Sequence, residues 1–174
     1  MENHDRGQER LPTRGNRRIY RRGRSVVLRG LPTEVDLFLW LKKHYYYDLR
    51  SSGGDYAFYD CFSLEFRFYA ELKTRSKHYD TLLIEKTKYE RIVKIANLNR
   101  SDALYICSTP LGVWQFDVAL LSIDWVEMPD LPVTSQFDNK DRVTKTVGLL
   151  PIKDGLRLGE ASHSRKGGAM YGNR

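Results

Sequence analysis

Tyr59-Asp60, followed by Ala70-Glu71-Leu72-Lys73-Thr74-Arg75, is the stretch from which the rest of this chain is read. Side chains on a strand alternate between its two faces. Glu71 and Lys73, two apart, therefore share a face, and Leu72 turns to a core on the other. The sequence suggests a strand over residues 56–60 that closes on Asp60, a turn over residues 61–64, and a longer strand over residues 64–74. Such a hairpin brings Asp60 to the open end of the Glu71 strand. Two carboxylates with a lysine beside them are the residue types that hold a hard divalent cation and manage charge at a phosphate. Asp60, Glu71 and Lys73 are thus candidate catalytic residues, with Asp60 and Glu71 as candidate ligands for Mg²⁺ or Mn²⁺. A Glu-x-Lys by itself is equally a cross-strand ion pair on a solvated face, and Asp55 also precedes the strand, so the choice of acid stays open here.

The flanking sequence supplies more elements. Thr33 is a good helix N-cap, and Asp36 three residues on gives a capping-box spacing. A helix is expected over residues 36–49, with Leu37, Trp40, Leu41 and His44 on one face. Tyr45-Tyr46-Tyr47 near its end suits packing beneath a sheet, with stacking on bases as the alternative. Ser51-Ser52-Gly53-Gly54 breaks the chain before the first strand. A second helix is expected over residues 81–98, where Glu85, Tyr89, Ile92, Val93 and Ala96 recur at helical spacing. Lys86, Lys88, Arg91 and Lys94 lie around that stripe, most simply as a solvated face. Strands are expected over residues 103–108 and 113–119, joined by a turn at Pro110-Leu111-Gly112. Trp125, Met128, Pro129 and Pro132 suggest an irregular connection, and residues 143–152 a last strand or hairpin arm.

The order helix, three-stranded meander, helix, strand, together with Asp60 and Glu71-x-Lys73, resembles the PD-(D/E)xK nuclease superfamily. That is the fold of many restriction enzymes, Holliday-junction resolvases and phage exonucleases. The resemblance spans residues 31–158 in order of elements, and its specific motif is the three residues Asp60, Glu71 and Lys73. It implies an α/β fold with a restriction-endonuclease-like core, a central mixed sheet flanked by helices. It implies metal ligation by the two acids, and water activation or charge stabilisation by the lysine. A further basic residue from the second helix, Lys88, and an acid from the first, either Glu34 or Asp36, would join them. Members often act as dimers. No proline precedes Asp60, a departure the superfamily tolerates. More narrowly, residues 70–75 and 79–89, with Lys145-Thr146-Val147-Gly148-Leu149-Leu150-Pro151-Ile152, resemble small nuclease-like proteins of phages, particularly those of Bacteroidetes-type hosts.

Length and charge set the frame. With 174 residues, 41% hydrophobic, one domain with tails is expected. The net charge of +7 is unevenly placed: residues 1–30 hold nine arginines and three acids, a net of +6, and the remainder is almost neutral. Residues 1–30 are therefore expected to be a disordered basic arm, residues 31–159 the nuclease-like domain, and residues 160–174 a flexible tail. In the arm, Arg14, Arg17, Arg18, Arg21, Arg22 and Arg24 are candidate nucleic-acid contacts. Their planar forks suit phosphate, and such binding weakens steeply with salt. The alternatives are a solubilising tail or a partner with an acidic surface.

Other chemistry is not signalled. Cys61 and Cys107 lie in apolar surroundings and read as reduced core thiols. His4, His44, His78 and His163 are scattered without zinc-ligand spacing. There is no phosphate-binding Gly-Lys-Ser/Thr loop, no dinucleotide fingerprint and no Gly-x-Ser-x-Gly elbow. No apolar run approaches membrane-spanning length and no signal peptide is evident, so a cytoplasmic protein is expected (the host cytoplasm, if phage-encoded). The expected function is metal-dependent hydrolysis of nucleic acid, DNA foremost, with a second copy of the chain or a virion or packaging component as further partners. The rival is a non-catalytic nucleic-acid-binding or virion-associated protein that keeps the same fold.

Overall fold

The structure is a computed structural model and describes residues 27–28, 31–54, 57–133 and 141–161. The arginines Arg14, Arg17, Arg18, Arg21, Arg22 and Arg24, together with Asp55, Tyr56, His4, His163 and the end of the tail, lie outside the described residues. In chain order the elements are β1 (Val27–Leu28), α1 (Glu34–His44), β2 (Arg50–Ser51), β3 (Cys61–Ser63), β4 (Phe68–Thr74), β5 (Thr81–Glu85) and α2 (Lys86–Leu98). They continue with β6 (Asp102–Thr109), β7 (Gly112–Asp117), β8 (Asp124–Pro132), β9 (Arg142–Pro151), a single 3₁₀ turn (Ile152–Asp154) and β10 (Leu156–Ala161).

Seven strands form one sheet in the order β1-β10-β7-β6-β4-β3-β2. β4 is an interior strand, antiparallel to β3 and parallel to β6. A parallel pair needs a long crossover, and α2 provides it. Phe68, Ala70 and Leu72 of β4 point to one face, where Leu37, Trp40 and Leu41 of α1 cover them. On the other face Ile92 and Ala96 of α2 pack with Ala103, Tyr105 and Cys107 of β6. The smaller sheet β5-β9-β8 closes the same side, adding Leu82, Ile84 and Leu150 to that core. The result is the α/β architecture expected from the sequence, a central mixed sheet with a helix on each face. Cys61 and Cys107 are buried in separate cores as free thiols, both raised above the usual thiol range by burial.

Several boundaries differ from expectation. The run closing on Asp60 is not a strand: residues 58–60 bend, and pairing starts at Cys61. The expected turn at residues 61–64 is thus β3 itself, with Cys61 and Ser63 alternating into the α1 side. The turn falls at residues 64–67, where Arg67 adopts a positive φ of 53°. Asp48 fixes it there, its carboxylate accepting the Leu64 and Glu65 N–H groups at 3.0 and 2.9 Å and the Ser63 hydroxyl at 2.6 Å. α1 ends at His44, short of the expected residue 49, and Asp48 lies beyond it. Tyr46 is buried and hydrogen-bonded to Gln115, whereas Tyr47 is exposed.

Residues 81–85 are a strand rather than the start of the helix. Leu82 and Ile84 are buried with period two and pair with β9, and Glu85 becomes the N-cap of α2. Residues 124–132, expected to be irregular, form β8 against β9, with a register shift between Met128 and Leu131 that accommodates Pro129. β10, which had no counterpart in the sequence reading, pairs with β7.

Burial alone would raise the Asp48 carboxyl, but the Glu65 N–H, the Ser63 hydroxyl and the Leu64 N–H outweigh it and hold the group below the usual aspartate range. A depressed carboxylate lends stability above its unfolded pKa and loses it as pH falls through the folded value. Asp48→Ala is therefore expected to cost about 1–3 kcal/mol near neutral pH. Denaturant unfolding should show that difference shrinking in acid, and a constant difference would contradict the turn's dependence on this carboxylate.

Candidate active site

β4 sets the site by alternation. Between the buried Ala70 and Leu72, Glu71 projects to the α2 face, and Lys73 follows it on the same side. Asp60 stands just before β3. Its N–H donates to the Ala70 carbonyl at 2.9 Å, and its Oδ2 accepts the Leu72 N–H at 2.7 Å. Asp60 is thereby tied to the residues on either side of Glu71. α2 brings Lys88, whose Nζ lies 3.1 Å from Glu71 Oε1 and 3.4 Å from Oε2. α1 brings Glu34, whose Oε1 accepts from Lys73 Nζ at 2.8 Å. Glu34, Asp60, Glu71, Lys73, Arg75 and Lys88 line one cavity, with Glu85 and Tyr105 in its wall.

The electrostatics follow from burial and crowding. Glu71 is only 6% exposed. Burial, then repulsion from Asp60, push its carboxyl up to about 7, against the pull of Lys88 and Lys73. Asp60 is also raised, first by burial and then by Glu34, against the Leu72 N–H, Lys88 and Lys73. Burial alone would lower Lys88, but the Glu71 and Asp60 charges outweigh it and raise the group. Lys73 donates to Glu34, so Lys88 is the ammonium in hydrogen-bond contact with Glu71. Burial and crowding of negative charge thus leave both carboxyls raised although Lys73, Lys88 and Arg75 share the cavity.

That crowding, with hard oxygen donors, fits a divalent cation. Asp60 and Glu71 could hold one. Among the described residues no three His, Cys, Asp or Glu side chains gather to bind a metal ion on their own. Two carboxylates would therefore be the chain's share, as is common for Mg²⁺, which keeps several waters and substrate phosphate oxygens.

The structure brings Asp60, Glu71, Lys73 and Lys88 together. Of the two first-helix acids, Glu34 lines the cavity. Asp36 instead closes the capping box, accepting the Thr33 N–H at 3.2 Å while its own N–H reaches Thr33 Oγ1 at 3.1 Å. His78 lies outside the cavity lining, against Thr109 and the Trp114 ring. Arg75 was not singled out from sequence. Its signal was the alternation Glu71-x-Lys73-x-Arg75, carried one residue past the end of β4, where the Arg75 N–H donates to the Ser108 carbonyl at 2.8 Å.

No protein-family model and no curated protein matches the chain. Among solved structures it is similar to Hjc, a Holliday junction resolvase from the archaeal hyperthermophile Archaeoglobus fulgidus. The two are 15% identical over 72% of this chain and 88% of that one, with a TM-score of 0.46. The likeness to phage proteins has no counterpart in these comparisons. Among the described residues no helix is long and apolar enough to cross a membrane.

A carboxyl raised on folding favours the folded state at pH below its unfolded value, and that advantage is lost as pH rises through the folded value. In metal-free protein, stability is therefore expected to fall between about pH 5 and about pH 8. Glu71→Gln should flatten that fall, leaving the smaller part due to Asp60. Thermal melts of both proteins across this range test it, and parallel pH profiles would contradict the raised Glu71 carboxyl.

Proposed function

We propose that this chain is a nuclease that hydrolyses phosphodiester bonds of nucleic acid, DNA foremost, with Asp60 and Glu71 holding Mg²⁺ or Mn²⁺. The observation that carries this reading is a nearly buried Glu71 facing Asp60 in a cavity rimmed by Lys73, Lys88 and Arg75. A purely structural ion pair would need only one acid and one base. Here two acids are held together against their repulsion, and the surrounding cations face the same space.

When bound, the divalent ion would supply Lewis-acid stabilisation of the phosphoryl oxygens and an activated water. Lys73, held by Glu34, is aimed at the cavity and would orient the attacking water or offset charge on the phosphate. Lys88 keeps Glu71 in place and stands ready to meet a phosphate oxygen once that carboxylate is otherwise engaged. Arg75 adds a guanidinium suited to a second phosphate oxygen. Leu72, through its N–H, fixes the orientation of Asp60. Phosphate contacts of this kind carry little sequence information, and the arginines of residues 14–24 would add affinity of the same sort. A homodimer in a cytoplasmic setting is the assembly that goes with this reading.

Incubation of the full chain with supercoiled plasmid and Mg²⁺ or Mn²⁺ should give cleavage that EDTA abolishes. Glu71→Ala should abolish it with an unchanged circular dichroism spectrum, and Lys73→Ala should slow it by roughly 10²–10³-fold, the scale of losing one preorganised charge. Cleavage by Glu71→Ala at the wild-type rate would refute the assignment. Removal of residues 1–24 should weaken DNA binding and flatten its dependence on salt. An unchanged salt slope would assign the arginines another role.

A further inference from the structure

Beside the carboxylates lies a group of aromatic rings, of which Tyr69 packs partly against the α2-side core. Phe62 of β3 and Tyr69 of β4 are opposite each other and stacked, with ring centroids 5.9 Å apart and planes 17° from parallel. Tyr59 stands edge-on to both, at 5.8 Å from Phe62 and 4.8 Å from Tyr69. Phe58, next in the chain, is 50% exposed. Tyr59, Phe62 and Tyr69 are half-buried, and all four leave ring surface in solvent. A soluble domain gains nothing in stability from leaving such a cluster open, whereas a ligand with flat faces would cover it.

Charge says which ligand. Arg91 of α2 lies over the Phe58 ring at 5.8 Å, one turn along the helix from Lys88. Arg50 of β2 is paired opposite Phe62 and so projects with Phe62 and Tyr69 on the same face of the sheet. The aromatic wall therefore has two arginines beside it, one at Phe58 and one at Phe62. It also adjoins the catalytic pair: Tyr59 precedes Asp60, and Tyr69 lies two residues from Glu71 on the same face of β4. Same-face neighbours on a strand are roughly 7 Å apart, about the spacing of successive nucleotides in an extended strand.

We propose that this wall of Phe58, Tyr59, Phe62 and Tyr69 stacks an unpaired base, so that the substrate is a nucleic-acid strand with unpaired nucleotides beside the scissile phosphate. Arg91 and Arg50 take the flanking phosphates. The inference rests on the nuclease reading and adds its substrate class. Bases inside a duplex have their faces covered, so the wall selects single strands, flaps, loops or frayed ends over continuous duplex. Stacking on aromatic rings is tolerant of sequence because every base has a π-face.

The test is fluorescence anisotropy of the full chain in EDTA with labelled oligo-dT, labelled oligo-U and a labelled blunt duplex, beside cleavage of the same three with Mg²⁺. Wild type should bind and cut a single strand in preference to the duplex, and the two homopolymers tell DNA from RNA. Phe58→Ala and Tyr59→Ala should each weaken single-strand binding by at least about fivefold while changing duplex binding little. Tyr59→Phe should restore the wild-type value. Phe58 is the safer variant for folding, since half of it is already in solvent. Equal single-strand binding by wild type and Phe58→Ala would overturn the proposal, as would a wild-type preference for duplex. Either result can occur with metal-dependent cleavage intact, and stacking can be lost in the variants even if wild type cuts nothing, so this inference and the nuclease reading fail separately.

Discussion

The structure depends on β4 being paired on both edges inside the larger sheet. Its alternation distributes side chains between the α1 interior and the α2 side, where Tyr69 and Lys73 stay half-exposed and Glu71 is buried. Phe68, Ala70 and Leu72 fill the α1 interior. Tyr69, Glu71 and Lys73 must then enter the α2 side, and burying a carboxylate there is unfavourable unless charge meets it. Lys88 meets it from α2, and Glu34 meets Lys73 from α1. The two helices are thus pinned to the same strand by ion pairs as well as by apolar packing. Asp60, clamped across Glu71 by two backbone hydrogen bonds, satisfies the Leu72 N–H with its carboxylate and sets a second negative charge beside Glu71. The proposed cation would relieve that repulsion.

What the sequence made legible follows from how local each signal is. Glu71 and Lys73 share a face because strand periodicity is two, and no tertiary knowledge is needed for that. Lys88 was singled out only through the family resemblance, since periodicity alone set it with Lys86, Arg91 and Lys94 around the buried stripe of α2. Asp60 was picked out on a partly mistaken ground: it opens the approach to β3 instead of closing a strand. The hairpin was still present, shifted by a few residues, because the turn is set by Asp48, an acid some fifteen residues away whose role no local pattern announces. Of Glu34 and Asp36, the structure puts Glu34 at the cavity against Lys73 and Asp36 in the capping box with Thr33.

The errors have a common cause. Thr81-Leu82-Leu83-Ile84-Glu85 is short and apolar, and such a run fits a helix or a strand equally well. Only β9, some sixty residues later, decides it. β8 was obscured by Pro129 and Pro132, which argue against a strand until a bulge and an edge position are allowed. Arg75 was overlooked although the strand's own alternation pointed to it. The aromatic wall was overlooked for a different reason: Phe58, Tyr59, Phe62 and Tyr69 are ordinary core formers in sequence, and only the sheet edge leaves them open.

The central claim is that Asp60 and Glu71 form one cation-holding pair. Calorimetric titration of Mn²⁺ into the full chain, near neutral pH and in two buffers of different ionisation enthalpy, addresses it most directly. Because Glu71 holds a proton up to about pH 7, binding should release protons to the buffer, and Glu71→Gln should lose both the binding and the release. Mn²⁺ binding of the same strength and proton count in Glu71→Gln, or no binding by wild type, would contradict the account.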